Sequence, residues 1–231
     1  MKLRPGIAAL LPAAVLLASC SGPNARDARF SRNMERVANP GEVVATEIAF
    51  ARMAREEGQW TAFAEFAADD AVMFVPEPVN ARDWLGTQAD PPESVQWQPH
   101  RVWSSCDGSL AVSTGAYTQP NGAFGRFVTV WERQDNFTYK FVLDLGEPLS
   151  EPLAAPEMVQ ADVAECGETP TPVVMSGRNL TYRANGNSND YSLYWQVDLT
   201  TEGSREFDLY LWRDGARSVV LTTTTTAPID G

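Results

Sequence analysis

What most constrains this chain is the change in the period of its apolar residues near position 95. From there apolar side chains recur at every second position in four segments, about Gln96 to Ser105, Leu110 to Thr118, Gly125 to Arg133 and Phe137 to Leu145. They are separated by Asp107-Gly108, Pro120-Asn121-Gly122 and Gln134-Asp135-Asn136. These residue types favour tight reversals, because Gly and Asn accept positive φ and Pro presets φ near −65°. The pattern predicts an antiparallel meander.

Upstream the period is helical. Asn39-Pro40 supplies a cap and a first-turn proline, and Gly58 a stop. Between them Val44, Ile48, Ala51 and Arg55 mark one side, while Val43, Phe50, Met53 and Ala54 add apolar bulk, so a mostly buried helix is expected. A second helix is predicted over about Trp60 to Ala67, with Trp60, Phe63 and Phe66 at spacings of three. Asp69-Asp70 would break it, and Val72 to Val75 reads as a short strand stopped by Pro76. Residues 76–93 read as loop, with one helical turn around Ala81 to Leu85.

The amino terminus carries Lys2 and Arg4, then an apolar run from Ile7 to Ala18 that is too short to span a bilayer. The run ends in Leu17-Ala18-Ser19-Cys20, which resembles the lipobox of bacterial lipoproteins. The expectation is a signal peptide over 1–19, lipidation at Cys20 as the membrane partner, and a polar tether over 20–39. Ser21 after the Cys resembles outer-membrane lipoproteins, which points to the periplasmic face of that membrane. An ordinary secretory signal with an incidental Cys20 is the alternative.

The net charge of −12 repels phosphate backbones, so nucleic acid is not an expected partner. With Cys20 set aside, Cys106 and Cys166 remain in an oxidising compartment, and a single disulfide is the economical expectation; a reactive thiol is the competing one. One histidine and two cysteines cannot assemble a His- or Cys-rich metal site. No metal and no cofactor are expected.

The order of helix, helix, short strand, loop and long antiparallel strands resembles the nuclear transport factor 2-like superfamily, also called SnoaL-like or cystatin-like. Gly58 with Ala62-Phe63, Phe74-Val75-Pro76, the run Gly125 to Trp131, and Val142 to Gly146 carry the resemblance, which covers about residues 41–147. It implies an α+β domain over 40–147, with helices packed into a curved antiparallel sheet to form a cone whose open end holds a pocket. Some members use that pocket for isomerase, cyclase or hydrolase chemistry and many for binding only. They commonly pair sheet to sheet, which makes a homodimer plausible; a carboxy-terminal meander covering that same face, and so a monomer, is the alternative. Residues 148–172 read as a Pro-, Glu- and Ala-rich connector. Residues 173–231 read as a β-meander extension, with strands near 179–184, 191–200, 206–213 and 218–226 and with turns at Asn185-Gly186 and Asp214-Gly215.

The position that the resemblance offers for a pocket carboxylate is Asp144, with His100 facing it across the sheet. A hydrogen-bonded strand-end role for Asp144 and a surface role for His100 are the bland alternatives. No paired Asp and Tyr is found at matching positions. Trp60, Trp84, Trp97 and Trp131 are candidate ligand-binding rings, Trp84 being placed near the cone mouth; core packing is the alternative for each. The expected function is noncatalytic binding of a small apolar ligand or protein partner. An isomerase or hydrolase using Asp144 as base, assisted by His100, is the second possibility.

Overall fold

A computed structural model describes residues 37–167, 171–172 and 180–226. The expected signal segment, Cys20 and most of the expected tether lie outside these residues, as does the start of the predicted extension at 173–179.

Helix α1 spans Pro40–Glu56, with Pro40 in its first turn, Glu42 near its positive end and Arg55 near its negative end. Asn39 sits at the cap position, but its side chain makes no capping bond. The buried stripe is Val43, Glu47, Phe50, Ala51 and Ala54. It is rotated from the expected side, and Ile48 is 56% exposed. The rotation follows from taking Glu47 as buried, which apolar counting rejects.

Helix α2 spans Gln59–Phe66 and starts after Gly58, whose φ of 125° is costly for any residue with a Cβ. Asp90 reaches over Gly58 to accept the Trp60 amide at 2.5 Å and the Thr61 amide at 3.1 Å. A Cβ at Gly58 would sit 2.3 Å from the Asp90 carboxylate. Strand β1 follows at once over Ala67–Phe74, earlier than predicted, because Ala67, Ala68 and Ala71 are small enough to bury while Asp69 and Asp70 face solvent. After it come β2, Pro78–Asn80, and the short helix α3, Ala81–Leu85.

The long strands are β3 Gln96–Ser104, β4 Leu110–Thr118, β5 Phe124–Arg133 and β6 Tyr139–Pro148. A further strand, β7, Gln160–Val163, comes from the segment expected to be only a connector. The sheet order is β2-β1-β6-β5-β4-β3-β7. It is mixed rather than antiparallel, since β1 runs parallel to β6 and β7 parallel to β3. Asp162 holds β7 in place by pairing with Arg101 at 2.6 Å and Arg213 at 3.0 Å. Register shifts in β1, β3 and the β5–β6 pair bend the sheet around the helices.

The second sheet, in order β11-β10-β9-β8, comprises β8 Leu180–Asn187, β9 Leu193–Thr200, β10 Ser204–Arg213 and β11 Ala216–Thr226. Asp214-Gly215 makes the predicted turn, both residues having positive φ. Asn185-Gly186 does not; it lies inside β8. The Trp195 indole lies against Gly186, where a Cβ would come within 2.6 Å of Nε1, so this glycine serves packing rather than reversal.

The large sheet therefore has both faces covered. Phe50, Ala54, Met73, Val102, Trp131 and Phe141 join the helices in one core. Phe74, Val112, Val128, Val130, Leu143 and Leu145 join Leu193, Val197, Phe207 and Leu209 of the second sheet in another. The face open to sheet-to-sheet pairing in the expected cone is here occupied by the chain's own extension.

Two turns lock the sheets together. In Ser105-x-Asp107-x-Ser109 the aspartate accepts from both serine hydroxyls, and Ser188-x-Asp190-x-Ser192 repeats the arrangement. The Cys106 amide donates to Ser192, the Asp107 amide to Asp190 and the Asn189 amide to Ser109. The Cys106–Cys166 disulfide, as expected from the cysteine count, sits beside them, with a Cα–Cα distance of 5.3 Å.

Candidate functional site

One row of residues crosses the sheet on its helix side. Met73 is in register with Asp144, Asp144 with Thr129, Thr129 with Ser113 and Ser113 with Val102. Asp144 lies between Leu143 and Leu145, which enter the core on the opposite side, so strand alternation turns its carboxylate toward the helices. Its Oδ2 accepts the Thr129 hydroxyl at 2.7 Å. Burial raises its pKa to about 6, against the lowering effects of Thr129 and the Arg205 charge. The side chain keeps partial exposure even so, because the surface it retains faces a cavity.

Helix α1 lowers a second carboxylate onto the same face. Glu47 has 0% exposure. Its Oε1 accepts from the Ser113 hydroxyl and from Trp131 Nε1 at 3.2 Å, and its Oε2 from Trp97 Nε1 at 3.1 Å. These donors favour the anion, but burial outweighs them, and with the nearby Asp144 charge the pKa is raised to about 7.

The cavity measures about 830 Å³. Trp60, Phe63 and Trp97 wall its helix side, and Tyr117, Phe127, Thr129 and Asp144 its sheet side. Tyr117 lies flat over Gly125, where a Cβ would come within 2.4 Å of the ring. Burial raises its pKa. The rim is completed by the second sheet through Leu199, Arg205 and Thr225. Arg205 is 9% exposed, donates from Nη2 to the Gly146 carbonyl at 2.5 Å, and stacks 4.9 Å above the Phe74 ring. Burial lowers its pKa, opposed by Glu147, Tyr117 and Asp144.

Of the residues singled out from sequence, Asp144, Trp60 and Trp97 meet at this cavity. Trp84 packs edge-on behind Trp60, with ring centres 5.0 Å apart. Trp131 is fully buried in the core. His100 is not brought to Asp144. The β3–β4 register jumps from Pro99 opposite Gly115 to Arg101 opposite Thr114, leaving His100 as the bulged residue. It stands 3.3 Å from Gln98 instead of lining the cavity. Gly115 permits the bulge, since a Cβ there would lie 2.0 Å from the Gln98 carbonyl oxygen. A period of two cannot be counted across such a bulge.

Sequence reasoning missed Glu47, Tyr117 and Arg205. Glu47 was detectable as the one carboxylate in the stripe 43-47-50-51-54, and Tyr117 as sharing the strand face of Ser113 and Gly115. Nothing local marks Arg205, because only tertiary packing brings β10 to the rim.

The two raised carboxyls make a pH prediction. A group with a raised native pKa is protonated more readily when folded, so its stabilisation is complete below the unfolded value and is lost as pH rises through the native one. Glu47 should therefore cost roughly 3 kcal/mol between about pH 4.5 and pH 7. Denaturation of wild type and Glu47→Gln at several pH values checks this. Relative to the variant, wild type should weaken as pH rises from about 5 to 8; parallel curves would refute the assignment.

Fold and site together define an α+β cone domain with a carboxylate-floored cavity, closed on one side by an added β-sheet. Among solved structures, similarity is found to a candidate ketosteroid isomerase from Parabacteroides distasonis, at 15% identity over 50% of this chain and 97% of that one, with a TM-score of 0.39. Nuclear transport factor 2 from Cryptosporidium parvum matches at 11% identity over 49% of this chain and 98% of that one, TM-score 0.36. A nuclear transport factor 2-like protein of unknown function from Pseudomonas putida matches at 13% identity over 53% and 85%, TM-score 0.30. These likenesses concern the course of the chain in about half of its length. No protein-family model and no curated protein matches the chain.

Proposed function

We propose that this chain binds a small, largely apolar ligand in the cone cavity without transforming it, as a lipoprotein held to the cell envelope through Cys20. The observation that carries the proposal is the cavity itself: about 830 Å³, walled by Trp60, Phe63, Trp97, Tyr117 and Phe127, with Thr129 and Asp144 at its floor and Arg205 at its rim. That size and composition suit an organic molecule rather than a peptide segment or an inorganic ion. The flat rings offer large contact area at little entropic cost.

The anchor rests on Leu17-Ala18-Ser19-Cys20 and its flanks. A second use of the cavity, as an isomerase or hydrolase with Asp144 as base, is favoured by one observation, the rise of that carboxyl to about pKa 6. His100 has no place in it; Tyr117, at the same cavity, would be the assisting group.

Mass spectrometry of protein purified from membranes tests binding and anchoring together. The expected results are a first mature residue, Cys20, carrying acyl mass, and a small organic molecule released on denaturation. An unmodified Cys20 would remove the anchor. An empty protein whose melting no aromatic compound shifts would remove the binding function, since a ligand at a hundred times its Kd adds about 2.7 kcal/mol.

A further inference from the structure

We infer that Glu47 selects the ligand of this cavity, acting from behind its wall through Trp97. By drawing the Trp97 N–H into the core it leaves carbon facing the ligand, which favours a flat apolar ring with no hydrogen-bond acceptor on that side. This rests on the cavity being a binding site and adds the class of its ligand and the residue that positions the wall.

Trp97 stands opposite Tyr117 in the β3–β4 register, and both rings line the cavity. The N–H edge of Trp97 is turned away from that space. Its Nε1 donates at 3.1 Å to Oε2 of Glu47, which has 0% exposure and lies behind the lining residues. Phe50 and Phe63 brace the indole edge-on, with ring centres 4.8 and 6.0 Å away. Such apolar contacts hold the ring in place but do not choose which edge points where, because the χ2 torsion of a tryptophan is broad and roughly two-fold. An acceptor makes that choice. Among the described residues Trp97 Nε1 has Glu47 and no other, whereas Trp131 Nε1, at 3.2 Å from Glu47 Oε1, also has Ser113 Oγ at 2.9 Å. Trp131 therefore keeps a partner without Glu47, and Trp97 does not. Burying a carboxyl among rings is costly, and a core that needed only bulk at position 47 would be served by an apolar side chain.

The test is calorimetric titration of the delipidated mature protein with two probes of one shape, naphthalene and quinoline, the second carrying a ring nitrogen that accepts a hydrogen bond. It is run above the pKa of about 7 to which Glu47 is raised, where both probes are uncharged. Glu47→Met frees the Trp97 N–H toward the cavity, where quinoline can receive it and naphthalene cannot. Naphthalene should lose about tenfold in affinity and quinoline less than about threefold, since a donor left without a partner on binding costs roughly a factor of ten. Glu47→Gln keeps an acceptor within reach of Trp97 and should recover naphthalene binding to within about threefold of wild type. In a Trp97→Phe background, which lacks the N–H, Glu47→Met should change naphthalene affinity by less than about twofold, whereas a general loosening of the core would add to the loss. The Trp97 indole proton, identified as the resonance missing from Trp97→Phe, should exchange slowly with solvent in wild type, which reads the clamp even where Glu47→Met does not fold. Unchanged or equally weakened binding of both probes in Glu47→Met, no recovery in Glu47→Gln, additive losses in the double variant, or a fast-exchanging Trp97 indole proton would each overturn the role of Glu47 and leave the cavity a binding site. Failure of both probes to bind wild type would overturn the binding function with it.

Discussion

Trp131→Ala is expected to lower the unfolding free energy by about 4 kcal/mol and the melting temperature by roughly 8–16 °C. Trp131 has 0% exposure and contacts the rings of Phe50, Phe66 and Phe141. Removing the indole therefore leaves a large void at the centre of the helix-side core. It also removes the N–H that reaches Glu47 Oε1 at 3.2 Å and Ser113 Oγ at 2.9 Å, so a buried carboxylate loses a donor at the same time. Trp131→Phe separates the two effects. It keeps most of the ring packing but not the donor, and should cost about 1–3 kcal/mol. Chemical denaturation of both variants decides the matter. If Trp131→Ala loses less than about 1 kcal/mol, the ring is not part of the core and belongs with the ligand-facing tryptophans instead.

Replacing Cys106 and Cys166 together by serine should cost about 4 kcal/mol in the chain-entropy account, since the bridge closes a loop with a sequence separation of 60. The position of the bridge adds to this expectation. It joins the β3–β4 turn to the end of β7, where the Ala164 amide bonds to the Ser104 carbonyl and the Glu165 amide to the Trp212 carbonyl. The chain passes there from one sheet to the other. Losing the bridge should therefore loosen the second sheet first, and with it Arg205 at the cavity rim. Hydrogen exchange should show earlier opening in β8–β11 than in β4–β6, and thermal melting should fall by roughly 8–16 °C. A double-serine variant that melts with wild type would show that the paired Ser-Asp-Ser turns alone hold the sheets together.

The helices, the four long strands and the disulfide were legible because each depends on neighbours in sequence: a first-turn proline, alternation, turn residues, a cysteine count. The errors share a physical origin. His100 was misplaced because a bulge changes which side a residue faces, and the bulge depends on Gly115, on the neighbouring strand. Gly186 reads as a turn residue in the sequence because its use, admitting Trp195, is a contact across strands. Strand β7, four residues long, has little pattern of its own in the sequence; Arg101 and Arg213 fix it through Asp162.

By itself the sequence determined the kinds of element, their order and the acidic character, since periodicity and side-chain chemistry are local properties; Asp144 as a candidate pocket carboxylate followed from the family resemblance instead. Only the tertiary structure decided that Glu47 shares its face, that both faces of the large sheet are covered, and that Arg205 and Tyr117 complete the rim with Glu147. Those outcomes depend on burial and on register between strands distant along the chain. Desolvation sets the ionisation of Glu47 and Asp144, and desolvation exists only once the layers have packed.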